Sequence, residues 1–274
     1  MTLWPEAQWP AMPEQLRDRL RAVLARVQRH DGLIGLLAGG SFVTGDLDEF
    51  SDLDLVLVVD PPASETVHAQ RKAFAAECGP LLAAFTGEHV GEPRLLICLY
   101  GPPPMHVDLK FVLPDALAMR VEDPVILWAR DDRVVHALAS RAARYPLPDL
   151  QWIEDRFWVW VHYVATKLGR GELFEALDFG AAIRRQVLGP LLLQHAEARP
   201  DGVRRVERAA PADAERLRAT VAAYDRTDIA RSIQATVALY RELRDKVAVP
   251  SPVRRRDAED AAVAYLENVT RRMG

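Results

Sequence analysis

Residues 39–57 read GGSFVTGDLDEFSDLDLVL, and this stretch decides the fold. It follows a short apolar run, residues 32–38, that suits a buried strand ending at the Gly39-Gly40 turn. Glycines at that turn let the backbone approach a ligand closely. Amides at the start of a following short helix can cradle phosphate oxygens, and Ser41 adds a hydroxyl for the same anion. Asp52-Leu53-Asp54 then stands at the entrance to an almost wholly apolar run, residues 53–59, the pattern of a strand covered on both faces. Residues two apart on a strand point the same way, so the two carboxylates face one side. Paired carboxylates at a strand edge suit a hard cation such as Mg²⁺, which takes oxygen ligands and phosphate partners.

A third acid lies downstream. In the strand predicted over residues 106–113, His106, Asp108 and Lys110 alternate with Val107, Leu109 and Phe111, and Asp108 is the only acid on the polar side. If the two strands are neighbours, Asp108 joins Asp52 and Asp54. Clustered carboxylates repel one another unless cations neutralise them, and the chemistry this suits is in-line transfer of a phosphorus group. Other polar residues nearby have plainer readings: Asp46, Asp48 and Glu49 as a solvated loop, His106 as a polar strand-edge residue. An isolated Asp-x-Asp also occurs in sugar-nucleotide glycosyltransferases, which do not require Gly40-Ser41 just upstream.

Working outward, helical spacing marks residues 13–30 (Leu16, Leu20, Val23, Leu24, Val27) and about 65–85, and a further strand is expected over residues 94–100. After Pro146 and Pro148 the character changes. No strand pattern is found from residue 151 onward. Helices are expected around residues 153–168, over 173–188 with a stop near Gly189-Pro190, from Pro211, from a cap at Thr227, and over 252–272. The expected fold is therefore an α/β (α+β) core with a mixed sheet, residues 1–148, followed by an all-helical domain, residues 149–274.

The bulk numbers agree with an ordinary globular protein: 274 residues, 49% hydrophobic and 27% charged. A net charge of -4 gives no basic field, so nucleic acid is not an expected partner. No run approaches the roughly 18 apolar residues of a membrane helix, and no membrane partner is expected. The first residues lack the pattern of a signal peptide, and Cys78 and Cys98 read as reduced, buried thiols, so the expected location is the cytoplasm.

Gly40-Ser41, Thr44-Gly45, and Ser51-Asp52-Leu53-Asp54-Leu55 opening a strand, with a lone Asp on a later strand, together resemble the DNA polymerase β-like nucleotidyltransferase superfamily. The fuller form looks like its bacterial small-molecule branch, which includes the aminoglycoside and lincosamide nucleotidyltransferases. The motifs span about residues 33–112. The resemblance implies a mixed-sheet nucleotidyltransferase core, a helical carboxy-terminal domain, ATP or another NTP as donor, and two Mg²⁺ ions. It assigns catalysis and metal to Asp52, Asp54 and Asp108, and the β/γ phosphates to Gly40 and Ser41. Lys167, on the polar side of its helix, is a further nucleotide contact by analogy with lysines of such helical domains. On this reading Gly40→Val abolishes NTP binding and leaves the fold intact.

The acceptor expected is a small hydroxylated molecule. Glu172, Glu175 and Asp178 near the turn between the first two helices favour a cationic one such as an amino sugar, in a cleft facing Asp52 and Asp54. Rival readings are a nucleotidyltransferase acting on a protein or tRNA, as toxin-like members do, and a non-catalytic nucleotide-binding or antitoxin module.

Overall fold

The computed structural model describes residues 1–246 and 251–273. It divides into two compact units, Met1–Tyr145 and Pro146–Gly274.

In the first unit six strands form one mixed sheet in the order β3-β4-β5-β2-β1-β6. They are β1 (Leu33–Ala38), β2 (Leu53–Val59), β3 (Leu81–Gly87), β4 (Glu92–Tyr100), β5 (Met105–Val112) and β6 (Val125–Ala129). Only β2 and β5 run parallel. Helices α1 (Glu14–Gln28) and α3 (Ser64–Glu77) cover one face, because Leu16, Leu20, Val23 and Val27 recur at helical spacing and meet Leu55, Leu57, Leu109 and Phe111 from the strands. The short α2 (Ser41–Thr44) follows β1. On the opposite face Val134, from α4 (Arg133–Ala139), and Leu117 pack on Ile34, Leu37, Val58 and Val112.

Two elements correct the sequence expectation. The helix expected over about 65–85 ends at Glu77, where Gly79 adopts φ +144° and Pro80 follows, so neither continues a helix. Residues 81–87 form β3 instead, an edge strand whose short apolar run has no period that separates helix from strand. Strand β6 and helix α4 were not anticipated; β6 is five residues long and its alternation is too brief to read.

The second unit contains no strand among its described residues. Its helices are α5 (Leu150–Arg170), α6 (Leu173–Ile183), α7 (Gly189–His195), α8 (Val206–Ala209), α9 (Pro211–Arg218), α10 (Arg226–Lys246) and α11 (Arg256–Arg271). The stop expected near Gly189-Pro190 does not occur. The chain widens to a π turn over Arg184–Leu188 and runs on into α7, so the donor missing at Pro190 is absorbed without ending the helix. The start of α10 is capped by Asp225, whose carboxylate accepts from the Asp228 N–H at 2.9 Å, and not by Thr227. Phe157, Trp158 and Tyr240 form the aromatic centre of this unit, with Phe157 and Tyr240 stacked at 3.8 Å between centroids.

Cys78 and Cys98 are both buried free thiols, and burial pushes the Cys78 thiol up to about 12. No described helix is long and apolar enough to cross a membrane.

Candidate active site

Asp54 and Asp108 stand side by side because β2 and β5 are parallel neighbours. Their register places Leu53 opposite Val107, Asp54 opposite Asp108 and Leu55 opposite Leu109. Paired positions share a face, so the buried leucines and valine lie in the core while Asp54 and Asp108 stand together on the other side. Asp52 directly precedes β2, two residues from Asp54.

His106 reports the company it keeps. Its Nε2 lies 2.8 Å from Asp108 Oδ1. That hydrogen bond, opposed by partial burial and supported by the charges of Asp108, Asp52 and Asp54, raises the imidazole pKa above its ordinary value. One side chain therefore stands in the field of all three carboxylates. Among the described residues no group of three His, Cys, Asp or Glu side chains converges tightly enough to hold an ion as it stands. The donor set nonetheless fits a hard divalent cation: carboxylate oxygens supplied by two adjacent strands and their approach, with phosphate oxygens as natural co-ligands.

The turn after β1 abuts these acids. The Gly39 N–H donates to the Asp54 carbonyl at 2.9 Å, which fixes the glycine turn beside β2. Gly40 has φ 56° and ψ -136°, a conformation close to glycine-only, and a Cβ built there would overlap Asp54 Oδ2. This corrects the expected outcome of Gly40→Val. The added side chain strains the backbone and collides with an acid, so it does not leave the site's scaffold intact. Even Gly40→Ala is expected to cost about 1–3 kcal/mol, seen as a lower urea midpoint, with divalent-cation binding lost along with it. An unchanged midpoint would contradict this geometry.

A fourth carboxylate was missed by the sequence reading. Glu122 Oε1 accepts from the Gly40 N–H at 3.0 Å. It comes from the loop before β6, and only the sheet order, which sets β1 between β2 and β6, brings it there. No local motif announces it.

In the helical unit, the Lys167 ammonium lies 2.7 Å from Glu172 and 3.0 Å from Glu175, and Glu175 also accepts from the Tyr163 hydroxyl. These partners raise the lysine pKa, Glu172 foremost. Two of the three acids read as amino-sugar contacts thus already have a cation; Asp178 is exposed.

Residues 20–85 match the family model described as a nucleotidyltransferase domain. The matched segment includes Gly40, Ser41, Asp52 and Asp54, and ends before Asp108. No curated protein sequence matches. Similar solved structures include an aminoglycoside 6-adenyltransferase from Bacillus subtilis, with 15% identity, a TM-score of 0.41, and coverage of 92% of this chain and 98% of that one. A nucleotidyltransferase-like protein from Exiguobacterium sibiricum 255-15 is similar at 13% identity and a TM-score of 0.40, covering 94% of this chain and 80% of that one.

Proposed function

We propose that this chain is a cytoplasmic, Mg²⁺-dependent nucleotidyltransferase that moves a nucleoside monophosphate from an NTP, with ATP the expected donor, to a hydroxyl of a small molecule. The observation that carries the reading is the in-register pair Asp54 and Asp108, with His106 Nε2 2.8 Å from Asp108 Oδ1. The matched nucleotidyltransferase domain supports the same class, and two buried free thiols suit a reducing compartment.

Asp52 and Asp54 would hold two ions and Asp108 would complete the site. Bound there, Mg²⁺ supplies charge neutralisation and alignment of phosphate oxygens. The chain's own residues do the rest. Gly40 and Ser41 bind the β and γ phosphates. The acceptor oxygen attacks the α phosphorus, its proton passes to the Asp108 carboxylate, the α–β anhydride bond breaks, and pyrophosphate leaves with the electron pair. His106, hydrogen-bonded to Asp108, fixes the orientation of that carboxylate.

Incubating the protein with α-labelled NTPs, Mg²⁺ and a panel of hydroxylated acceptors tests this reading by mass spectrometry. An acceptor heavier by one nucleoside monophosphate is expected, with pyrophosphate released; intact NTP across the whole panel would count against it. A second expectation concerns Glu122. Its carboxylate occupies the Gly40 N–H that a phosphate oxygen needs and adds a like charge beside it. Glu122→Ala should therefore tighten NTP·Mg²⁺ binding about 3- to 10-fold, the scale of one hydrogen bond. Calorimetry showing weaker binding would instead make Glu122 a contributor to the cation site.

A further inference from the structure

The carboxylate face of the sheet is covered over one half only. Over β1, β2 and β6 it is closed by Leu117 and Val134 with their neighbours. Over β4 and β3 its side chains are exposed or half-buried, with the His89 ring 5.6 Å from that of Phe85. The register there forms one row across four strands: Asp54 beside Asp108, Asp108 beside Ile97, Ile97 beside Phe85. The next row runs His106, Leu99, Ala83. With strands about 4.8 Å apart, the Ile97 backbone is about 5 Å from that of Asp108 and the Phe85 backbone about 10 Å.

These positions are apolar without being core. On β4 the opposite parity, Leu96, Cys98 and Tyr100, fills the core, whereas Leu99 is 41% and Phe85 51% exposed. An open face of an antiparallel sheet ordinarily carries polar residues. Two cations bordering the strip are already paired: Lys110 lies 2.8 Å and Arg94 2.6 Å from Glu92. Neither row carries an acid on β3 or β4, so a polycationic acceptor would find no counter-charge along it.

Resting on the nucleotidyltransferase reading above, we infer that the acceptor is an uncharged molecule whose hydroxyl is borne on a flat, aromatic body. The hydroxyl stands at Asp108 and the body lies over Ile97 and Leu99 toward Phe85. Apolar area directly in register with the catalytic acids gives both affinity and aim, since a ring placed on Phe85 and Ile97 carries its substituent to Asp108.

The test uses the full chain with 2-naphthol as a neutral aromatic hydroxyl probe, followed by saturation-transfer NMR, and with NTP·Mg²⁺ binding measured in parallel. The probe is expected to bind. Phe85→Ser and Leu99→Ser, both at exposed positions, should each weaken it about ten-fold while leaving NTP·Mg²⁺ affinity unchanged. Probe binding absent, or indifferent to both substitutions while NTP binds normally, overturns the platform alone. So does sedimentation showing a dimer that Phe85→Ser dissolves, since the strip would then face a second copy. So does transfer to a polycationic amino sugar with none to aromatic alcohols. Absence of NTP·Mg²⁺ binding in the intact chain overturns the nucleotidyltransferase reading, and the platform falls with it.

Discussion

Asp54→Asn should lower nucleotidyl transfer by about 10²–10³-fold or more, the scale lost when one preorganised electrostatic group is removed from an active site. The substitution is nearly isosteric, so the loss isolates charge. Asp54 stands beside Asp108 across the parallel ladder, and its side chain fills the space next to Gly40. The amide therefore keeps the packing and the Gly39 N–H contact, which is made to the backbone carbonyl. Removing one of several neighbouring negative charges relieves repulsion, so thermal stability should be unchanged or slightly raised. Loss of transfer with an undiminished melting temperature is the expected signature. Full activity would show that Asp54 is only a solvated strand-end charge.

The largest stability effect is expected far from that chemistry, at Glu154. This carboxylate is fully buried in α5, and four donors converge on it. The Tyr240 hydroxyl donates at 2.6 Å, Trp158 Nε1 at 3.1 Å, the Arg255 N–H at 3.0 Å and the Arg244 guanidinium at 3.2 Å. The network ties α5 to α10 and to the start of α11. Removing the carboxylate leaves the buried Tyr240 hydroxyl and Trp158 Nε1 without their acceptor, while Arg244 keeps only Glu259 at 2.9 Å and Asp245 at 3.3 Å, so Glu154→Ala should cost about 3–5 kcal/mol. Trp158 fluorescence follows the transition directly. Burial works against the charged form, but the bonds from Tyr240, Arg255 and Trp158 with the Arg244 charge outweigh it, and the Glu154 pKa lies below the ordinary carboxylate value. A depressed pKa contributes stability at pH values above the ordinary carboxylate range, and that contribution is lost as pH falls through the lowered value. The deficit of the alanine variant should therefore be full near neutrality and shrink in acid. A deficit under 1 kcal/mol at neutral pH would contradict this assignment.

Much of the site was legible because its signals are local. The alternation through residues 106–113 places Asp108 opposite the core parity, and Asp54 stands opposite it in the register of β2 and β5. The parallel pairing that joins them needed only that β2 and β5 be neighbours. Glu122 was not legible, since it lies on a loop and reaches Gly40 through the placement of β6, a long-range fact with no spacing to betray it. Strand β3 escaped because residues 81–85 are an apolar run that continues the preceding helical pattern, and only Gly79-Pro80 breaks it. Lys167 was expected to contact the nucleotide, and spacing alone could not show that Glu172 and Glu175 hold its charge.

Paramagnetic broadening by Mn²⁺ tests the carboxylate site most directly, because it needs neither the acceptor nor turnover. In the presence of a non-hydrolysable NTP analogue, substoichiometric Mn²⁺ should broaden first the amide signals of Leu53, Asp54, Val107 and Asp108. Asp54→Asn should abolish that broadening at the same Mn²⁺ concentration. Broadening centred elsewhere in the chain, or broadening at β2 and β5 that survives Asp54→Asn unchanged, would contradict a metal site built on Asp52, Asp54 and Asp108.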